Sequence, residues 1–181
     1  MNPAIRFFRF SLPCIGLAWA LSMGHAPPGR AADGMSDAEK RAKIEVMYRA
    51  YKNNFAEVED IETAAAMRLL EEGKALFIDV REEREQNVSM LPSAVTEKEF
   101  LKDPAKYEGR TLIGYCTISY RSGKLAARLK KEGIPILNLR GGLLAWVHDG
   151  GKVYDRGSET RRINVYGRKW NLGPKDYEAV W

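Results

Sequence analysis

Three short apolar runs, separated by helix-like segments, constrain the fold of this 181-residue chain most strongly. They are ALFIDV at 75–80, TLIGY at 111–115 and PILNL at 135–139. Runs this short and continuously apolar are typical of strands that are buried on both sides. Because helical segments connect them, the pattern predicts an α/β fold in which helices cover both faces of a parallel sheet.

Helical signals mark the segments around these strands. Ser36 and Glu39 have the spacing of a capping box, which predicts a helix from there to about Asn53. A second amphipathic helix is predicted from Ser122 to a glycine stop at Gly133. Shorter helices are predicted between the other strands, so strands and helices alternate along the middle of the chain.

The composition divides the chain into four parts. We expect residues 1–32 to be a signal peptide and the start of a linker, and residues 33–58 to be an N-terminal helical extension. Residues 59–155 then form the α/β domain. After that point the sequence becomes polar, aromatic and rich in glycine, which predicts a tail of extended segments at 156–181, packed on the domain.

The first 32 residues have the features of an export signal. Arg6 and Arg9 form a positive region, and the following run, FSLPCIGLAWALSMG, has about the length of the apolar part of a signal peptide. The run is shorter than the roughly 20 apolar residues of a membrane-spanning helix, and Pro13 interrupts it. We therefore expect an exported protein, located in the bacterial periplasm, with a membrane contact only if the segment is not cleaved.

The formal net charge of +5 does not indicate a nucleic-acid-binding protein. Arg6, Arg9 and Arg30 account for three of the 29 basic residues, and residues 1–32 contain no acidic residue. The rest of the chain therefore has 26 basic residues against 24 acidic ones. A surface so nearly balanced gives no reason to expect nucleic acid as a partner.

Cysteine usage points to a single reactive thiol. If the signal is removed, Cys14 goes with it and Cys116 is the only cysteine left, so no internal disulfide or resolving thiol is available. Such a thiol is either an inert core residue or a nucleophile. Its place favours the nucleophile, because the ligand site of an open α/β sheet lies where strands end, and a helix N-terminus favours the thiolate.

The loop YCTISYRSG is suited to holding an anion near this thiol. Arg121 adds a positive charge, and the backbone N–H groups of the loop can form an anion-binding cradle. The spacing is C-x4-R, whereas cysteine phosphatases have the longer C-x5-R, so a terminal sulfur fits better than a phosphate. The residues expected to contact substrate are Thr117, Ile118, Ser119, Tyr120, Arg121 and Ser122.

Three motifs together resemble the single-domain rhodanese family of sulfurtransferases. They are IDVREEREQ at 78–86, the cysteine loop, and NLRGGLLAWVHDG at 138–150, in the family's order. The resemblance covers roughly residues 59–155. It implies a rhodanese-like parallel sheet with helices on both faces.

The resemblance also implies a reaction. Cys116 would take a sulfane sulfur from a donor such as thiosulfate, and the resulting persulfide would pass it to a thiol or to cyanide. No metal and no organic cofactor is implied. Asp79 and Arg81 are expected to be a structural pair behind the site. A redox or sulfur-relay protein could be a further partner.

The sequence departs from the family pattern at two positions. Ser119 stands where the common loop C-x-x-G-x-R has glycine, and it would be strained there if the position needs a positive φ. Met90 stands where the family often has histidine, which would remove a polar group near the site entrance. Two other classes stay open: a non-enzymatic carrier, sensor or docking module, and a cysteine phosphatase or arsenate-reductase-like enzyme, which the C-x4-R spacing disfavours.

Overall fold

The computed structural model describes residues 34–181. The predicted signal segment, residues 1–32, lies outside the described residues, so its export role stays a prediction. In the part that is described, no helix combines the length and the apolar character that a membrane crossing requires.

A five-stranded parallel sheet forms the centre of the fold, which confirms the predicted α/β architecture. Its spatial order is β1-β5-β4-β2-β3. The register pairs the last residue of β2, Asp79, with the last residue of β4, Tyr115, so these two strands end side by side. The strands are β1 (Asp60–Ile61), β2 (Ala75–Asp79), β3 (Val95–Thr96), β4 (Thr111–Tyr115) and β5 (Leu137–Leu139).

Six α-helices flank this sheet in the described region. The predicted capping box is present, because the Ser36 hydroxyl accepts from the Glu39 N–H and the Glu39 carboxylate accepts from the Ser36 N–H. The helices are α1 (Asp37–Lys52), α2 (Thr63–Glu71), α3 (Glu83–Gln86), α4 (Glu97–Lys102), α5 (Tyr120–Lys131) and α6 (Gly142–His148).

Helix α5 begins two residues before the predicted start at Ser122. The prediction followed the apolar spacing of the helix, which becomes visible only further along the chain. Ser119 has a left-handed backbone, with φ +76° and ψ −5°, and turns the chain so that helical geometry starts at Tyr120. Arg121 therefore lies in the first turn of α5 and not in the loop.

Two apolar cores cover the two faces of the sheet. Along β2, Leu76 and Ile78 pack into the core that also contains Phe100 of α4 and the apolar face of α5. Phe77 points to the opposite face and meets the ring of Trp146 of α6 edge-on, with ring centroids 5.2 Å apart. This alternation, expected for successive residues of a strand, makes β2 a buried central strand.

The C-terminal segment packs on the α6 side of the domain. It contains an antiparallel hairpin, β6 (Val153–Asp155) with β7 (Ser158–Thr160), and a parallel pair, β8 (Arg162–Asn164) with β9 (Glu178–Val180). Ile163, Val165 and Leu172 are fully buried in the core.

Helix α1 is tied to the same C-terminal segment. The ammonium group of Lys40 donates to the carbonyl oxygen of Gly173 at 2.8 Å, and the N–H of Lys175 donates to the carboxylate of Asp37 at 3.1 Å. The two ends of the described chain are therefore held together on one side of the domain.

Candidate active site

Cys116 follows directly on β4 and is only 2% exposed. The loop from Cys116 to Ser119 then connects the strand to α5. None of the backbone N–H groups of residues 117–122 donates to another group within residues 34–181. The loop thus presents free N–H donors beside the thiol, which is the arrangement of an anion-binding cradle.

The start of α6 supports this loop from behind. The N–H of Leu143 donates to the carbonyl oxygen of Cys116 at 2.8 Å, and the N–H of Leu144 donates to that of Thr117 at 3.2 Å. Gly142 has φ +60°, and a Cβ there would lie 2.4 Å from the carbonyl oxygen of Cys116. Only glycine permits this approach, which explains why the motif GGLLAW accompanies the cysteine loop.

Two polar side chains, Ser119 of the loop and Ser122 of α5, fix this region to β5. The Ser119 hydroxyl donates to the carbonyl oxygen of Leu139 at 2.5 Å, and the Ser122 hydroxyl donates to the side-chain oxygen of Asn138 at 2.7 Å. Ser119 does require a positive φ, which costs a non-glycine residue roughly 1–2 kcal/mol. Its hydrogen bond, worth about 0.5–1.5 kcal/mol, offsets much of that cost.

The guanidinium of Arg121 is bound by the buried carboxylate of Glu85. Its two terminal nitrogens lie 2.5 and 2.7 Å from the carboxylate oxygens, and one of them is also 3.2 Å from the Thr117 hydroxyl. That hydroxyl donates to Glu85 at 3.2 Å. The sequence analysis missed Glu85, although it lies in the motif IDVREEREQ.

The charge state of this pair follows from its contacts. Burial by itself raises the pKa of Glu85, but the hydrogen bonds from Arg121 and from the N–H of Glu82 outweigh it and lower this pKa below its usual value. Burial lowers the pKa of Arg121, whereas Glu85 first, and then the nearby Cys116, raise it further. Both partners are therefore ionised, and Glu85 neutralises most of the charge of Arg121.

Asp79 and Arg81 form a second, fully buried ion pair behind the loop. The guanidinium nitrogens of Arg81 lie 2.9 and 2.6 Å from the two carboxylate oxygens of Asp79. The hydroxyl of Tyr115, the residue before the cysteine, donates to Asp79 at 2.5 Å. Burial, and then the charge of Asp79, raise the pKa of Tyr115 well above its usual value, so the hydroxyl keeps its proton.

A pocket of about 310 Å³ opens above the thiol. Five of the predicted site residues line it: Cys116, Thr117, Ile118, Tyr120 and Arg121. The side chains of Ser119 and Ser122 do not reach it, nor do Asp79 and Arg81. The other residues that line it are Tyr51, Tyr166 and Trp170.

These three aromatic residues were not predicted as site residues. Tyr51 comes from α1, and its ring centroid lies 5.2 Å from that of Tyr120. Tyr166 and Trp170 come from the C-terminal segment, and the guanidinium of Arg121 lies 5.4 Å from the centroid of the Tyr166 ring. For Tyr166 and Trp170 the signal in the sequence was the aromatic and basic run YGRKW, which did not indicate that they would line this pocket, and Tyr51 lies outside that run.

Met90 does not lie at the entrance of this pocket, contrary to the expectation from the sequence. Its backbone N–H and carbonyl both pair with Tyr154 of β6, at 2.9 Å each. This bridge places Met90 in clefts beside Arg81 and the β6–β7 hairpin. The replacement of histidine by Met90 therefore removes no polar group from the surroundings of Cys116.

Metal binding finds no support in the described region. Within residues 34–181, no three His, Cys, Asp or Glu side chains are close enough together to hold a metal ion. The chemistry available at this site is that of one thiol, the loop N–H groups and a paired arginine.

Comparison with known proteins assigns the family. The model of the rhodanese-like domain matches residues 62–149. A protein of Bacillus subtilis (strain 168) named "Putative sulfurtransferase YtwF" is 32% identical over 96 residues, which cover 50% of this chain and 91% of that protein. The chain belongs to the rhodanese-like family, and at the level of the family its function is sulfurtransferase-like.

A solved structure agrees with this fold. The thiosulfate sulfurtransferase from Pseudomonas aeruginosa is 19% identical, with a TM-score of 0.50, and the match covers 68% of this chain and 24% of that one. A Rhodopseudomonas palustris protein described as a "Possible Tyrosine Phosphatase" is 23% identical, with a TM-score of 0.49 over 61% of this chain and 93% of that one. At 19% identity the Pseudomonas aeruginosa structure indicates the fold and not the reaction.

Proposed function

We propose that this protein transfers sulfane sulfur and that Cys116 carries the sulfur as a persulfide. The observation that supports this most directly is the set of N–H groups at residues 117–122, for which residues 34–181 supply no acceptor. Preorganised N–H dipoles stabilise an anion without reorganisation during the reaction. The terminal sulfur of a persulfide is such an anion, and it fits the small curl of a C-x4-R loop.

The reaction consists of two displacements on sulfur. The Cys116 thiolate attacks the outer sulfur of the donor, a new S–S bond forms, and the old S–S bond breaks, so that thiosulfate would release sulfite. An acceptor thiolate or cyanide then attacks the outer sulfur of the persulfide and releases the Cys116 thiolate. The sulfur moves at the same oxidation level, so no external oxidant or reductant enters either step.

The acceptor comes from a second molecule. Cys116 is the only cysteine within residues 34–181, and it is free. No other thiol of the described domain can therefore resolve the persulfide. A small thiol, or a cysteine of a redox or sulfur-relay protein, supplies this group.

Intact mass spectrometry tests this function. The purified protein is exposed to thiosulfate, to organic thiosulfonates and to polysulfide, and then to cyanide. We expect a gain of one sulfur atom that cyanide removes and that Cys116→Ser abolishes. In the full chain, with residues 1–32 retained, Cys14→Ser is the matched control and should leave the gain unchanged. If none of the donors adds a sulfur to Cys116, the protein is not a persulfide enzyme, and a docking or phosphatase function takes its place.

A further inference from the structure

The pocket above Cys116 is walled by aromatic rings that come mostly from outside the family match. Tyr51 precedes residues 62–149, and Tyr166 and Trp170 follow them. Only Tyr120 belongs to the matched region. The family domain therefore supplies the thiol and its cradle, whereas the added segments of this chain decide what can approach the thiol.

Charge in the pocket is low. Among residues 34–181, Arg121 is the only charged residue that lines it, and Glu85 already binds this guanidinium through both carboxylate oxygens. A dianion such as thiosulfate would lose its hydration in exchange for the loop N–H groups and a cation that is largely neutralised. Such an exchange is unfavourable, because a buried charge must be paired to remain stable.

The rim offers a different electrostatic environment. The ammonium of Lys124 lies 5.5 Å from the centroid of the Tyr120 ring, and that of Lys169 lies 5.6 Å from the Trp170 ring. Each cation sits over an outer aromatic residue. These groups attract anions in general to the entrance and leave the aromatic interior apolar, so they do not supply the charge that a dianion would need inside the pocket.

The volume of the pocket is also larger than the cradle needs. About 310 Å³ corresponds to the liquid volume of about ten water molecules, at roughly 30 Å³ each. It lies at the lower end of the range of small-molecule sites, about 300–1,000 Å³. The cradle holds only the terminal sulfur, so the aromatic walls enclose room for a carbon group attached to it.

We propose that the sulfur donor is an organic monoanion with an apolar or aromatic group, either a hydropersulfide or a thiosulfonate, in preference to inorganic thiosulfate. Trp170, Tyr166 and Tyr51 are the residues that determine this specificity. The inference rests on the persulfide function proposed above. Attack of Cys116 on the terminal sulfur breaks the S–S bond, and the organic thiolate or sulfinate leaves with the bonding electron pair.

A series of three donors tests the inference: thiosulfate, methanethiosulfonate and benzenethiosulfonate, with cyanide as the common acceptor. We expect kcat/KM to rise along this series in the unaltered protein. In Trp170→Ala we expect kcat/KM for benzenethiosulfonate to fall about tenfold, the size of one lost aromatic contact with its buried area. In the same variant, kcat/KM for thiosulfate should change less than about twofold.

Two further variants keep the test sound. Tyr166→Asn removes a ring that is 52% exposed and places there a residue that tolerates the positive φ of 71°, so the variant should fold. Like Trp170→Ala, it should lower kcat/KM for benzenethiosulfonate. Trp181→Ala is the matched control, since Trp181 is 57% exposed and does not line the pocket. Because the three donors differ in intrinsic reactivity, each variant is compared with the parent through the ratio of the two kcat/KM values.

The outcomes separate the two proposals. If Cys116 forms a persulfide but Trp170→Ala and Tyr166→Asn leave the donor ratio unchanged, the organic donor is overturned and the sulfurtransferase stands. If no donor converts Cys116 to a persulfide, the sulfurtransferase itself is overturned, and this inference with it. A donor ratio that falls in both pocket variants and not in Trp181→Ala supports the inference.

Discussion

Two arginine–carboxylate pairs lie on either side of the cysteine loop, and they differ in what their arginines can reach. Asp79 pairs with Arg81, and Glu85 pairs with Arg121. Both carboxylates are fully buried and come from one short stretch, residues 79–85, which runs from the last residue of β2 into α3. The Arg81 side chain is 0% exposed, whereas that of Arg121 is 28% exposed and lines the pocket.

The comparison shows how one segment holds both ends of the loop. Tyr115, which precedes Cys116, donates to Asp79, and Arg121, which lies in the first turn of the helix after the loop, is bound by Glu85. The first pair is sealed from solvent and can only support the structure. The second pair supports the loop and also sets the charge of the pocket. The two arginine–carboxylate pairs therefore have different roles, because one is buried and the other borders the pocket.

Loss of the sealed pair should have the largest effect on stability. Arg81→Ala leaves the Asp79 carboxylate buried without its partner, and we expect the free energy of unfolding to fall by about 3–5 kcal/mol. Urea unfolding measures this. Arg84→Ala is the matched control, because Arg84 forms an exposed pair with Glu82 at 2.8 Å, and its loss should cost about 1 kcal/mol at most. Equal costs for the two variants would refute a structural role for the sealed pair.

Glu85→Gln should have a smaller effect on stability and a specific effect on substrate choice. The substitution keeps the shape of a fully buried side chain but removes its charge, and we expect a cost of about 1–3 kcal/mol. It also removes the negative charge that neutralises the Arg121 guanidinium, so kcat/KM for thiosulfate should rise relative to that for benzenethiosulfonate. Glu82→Gln is the control. A donor ratio that stays at the parent value would show that Glu85 does not set the charge of the pocket.

The pH dependence of the second pair is a finer test. The pKa of Glu85 is lowered in the folded protein from an ordinary value of 4.5, so its contribution to stability is complete above that pH and is lost as pH falls through the lower, folded-state pKa. The stability difference between the parent and Glu85→Gln should therefore shrink as the pH is lowered below 4.5. Unfolding curves at neutral pH and at several acidic pH values measure this difference. A stability difference between the parent and Glu85→Gln that does not change with pH would mean that Glu85 is not ionised in the folded state.

The smallest effect is expected at Ser119, in the loop between the two pairs. Ser119→Gly relieves the left-handed strain but loses the hydrogen bond to Leu139, so its net change in stability should stay within about 1 kcal/mol. Ser119→Ala keeps the strain and loses the same bond. The glycine variant should therefore be more stable than the alanine variant by about 1–2 kcal/mol, measured by urea unfolding. An alanine variant as stable as the glycine one would show that the loop relaxes out of this conformation.

Several features of the site could be predicted because their signals are local. The short apolar runs indicated parallel strands, and the SDAE spacing indicated the start of α1. The family pattern, which has glycine at this position of the loop, raised the condition of a positive φ, and Ser119 adopts one. The start of α5 was placed two residues late, since periodicity defines the middle of a helix better than its ends. The expectation for Met90 was wrong because a backbone bridge to Tyr154, 64 residues away in sequence, determines its position.

The sequence by itself determined the order of strands and helices, the place of a lone thiol between a strand and a helix, and the glycines that allow close backbone contact. These depend on propensities and spacings within a few residues. Only the tertiary structure decided that Glu85 binds Arg121, 36 residues further on, and that Tyr51, Tyr166 and Trp170 meet above Cys116. Such contacts depend on how distant segments pack, and packing is directed by buried surface that no local pattern encodes.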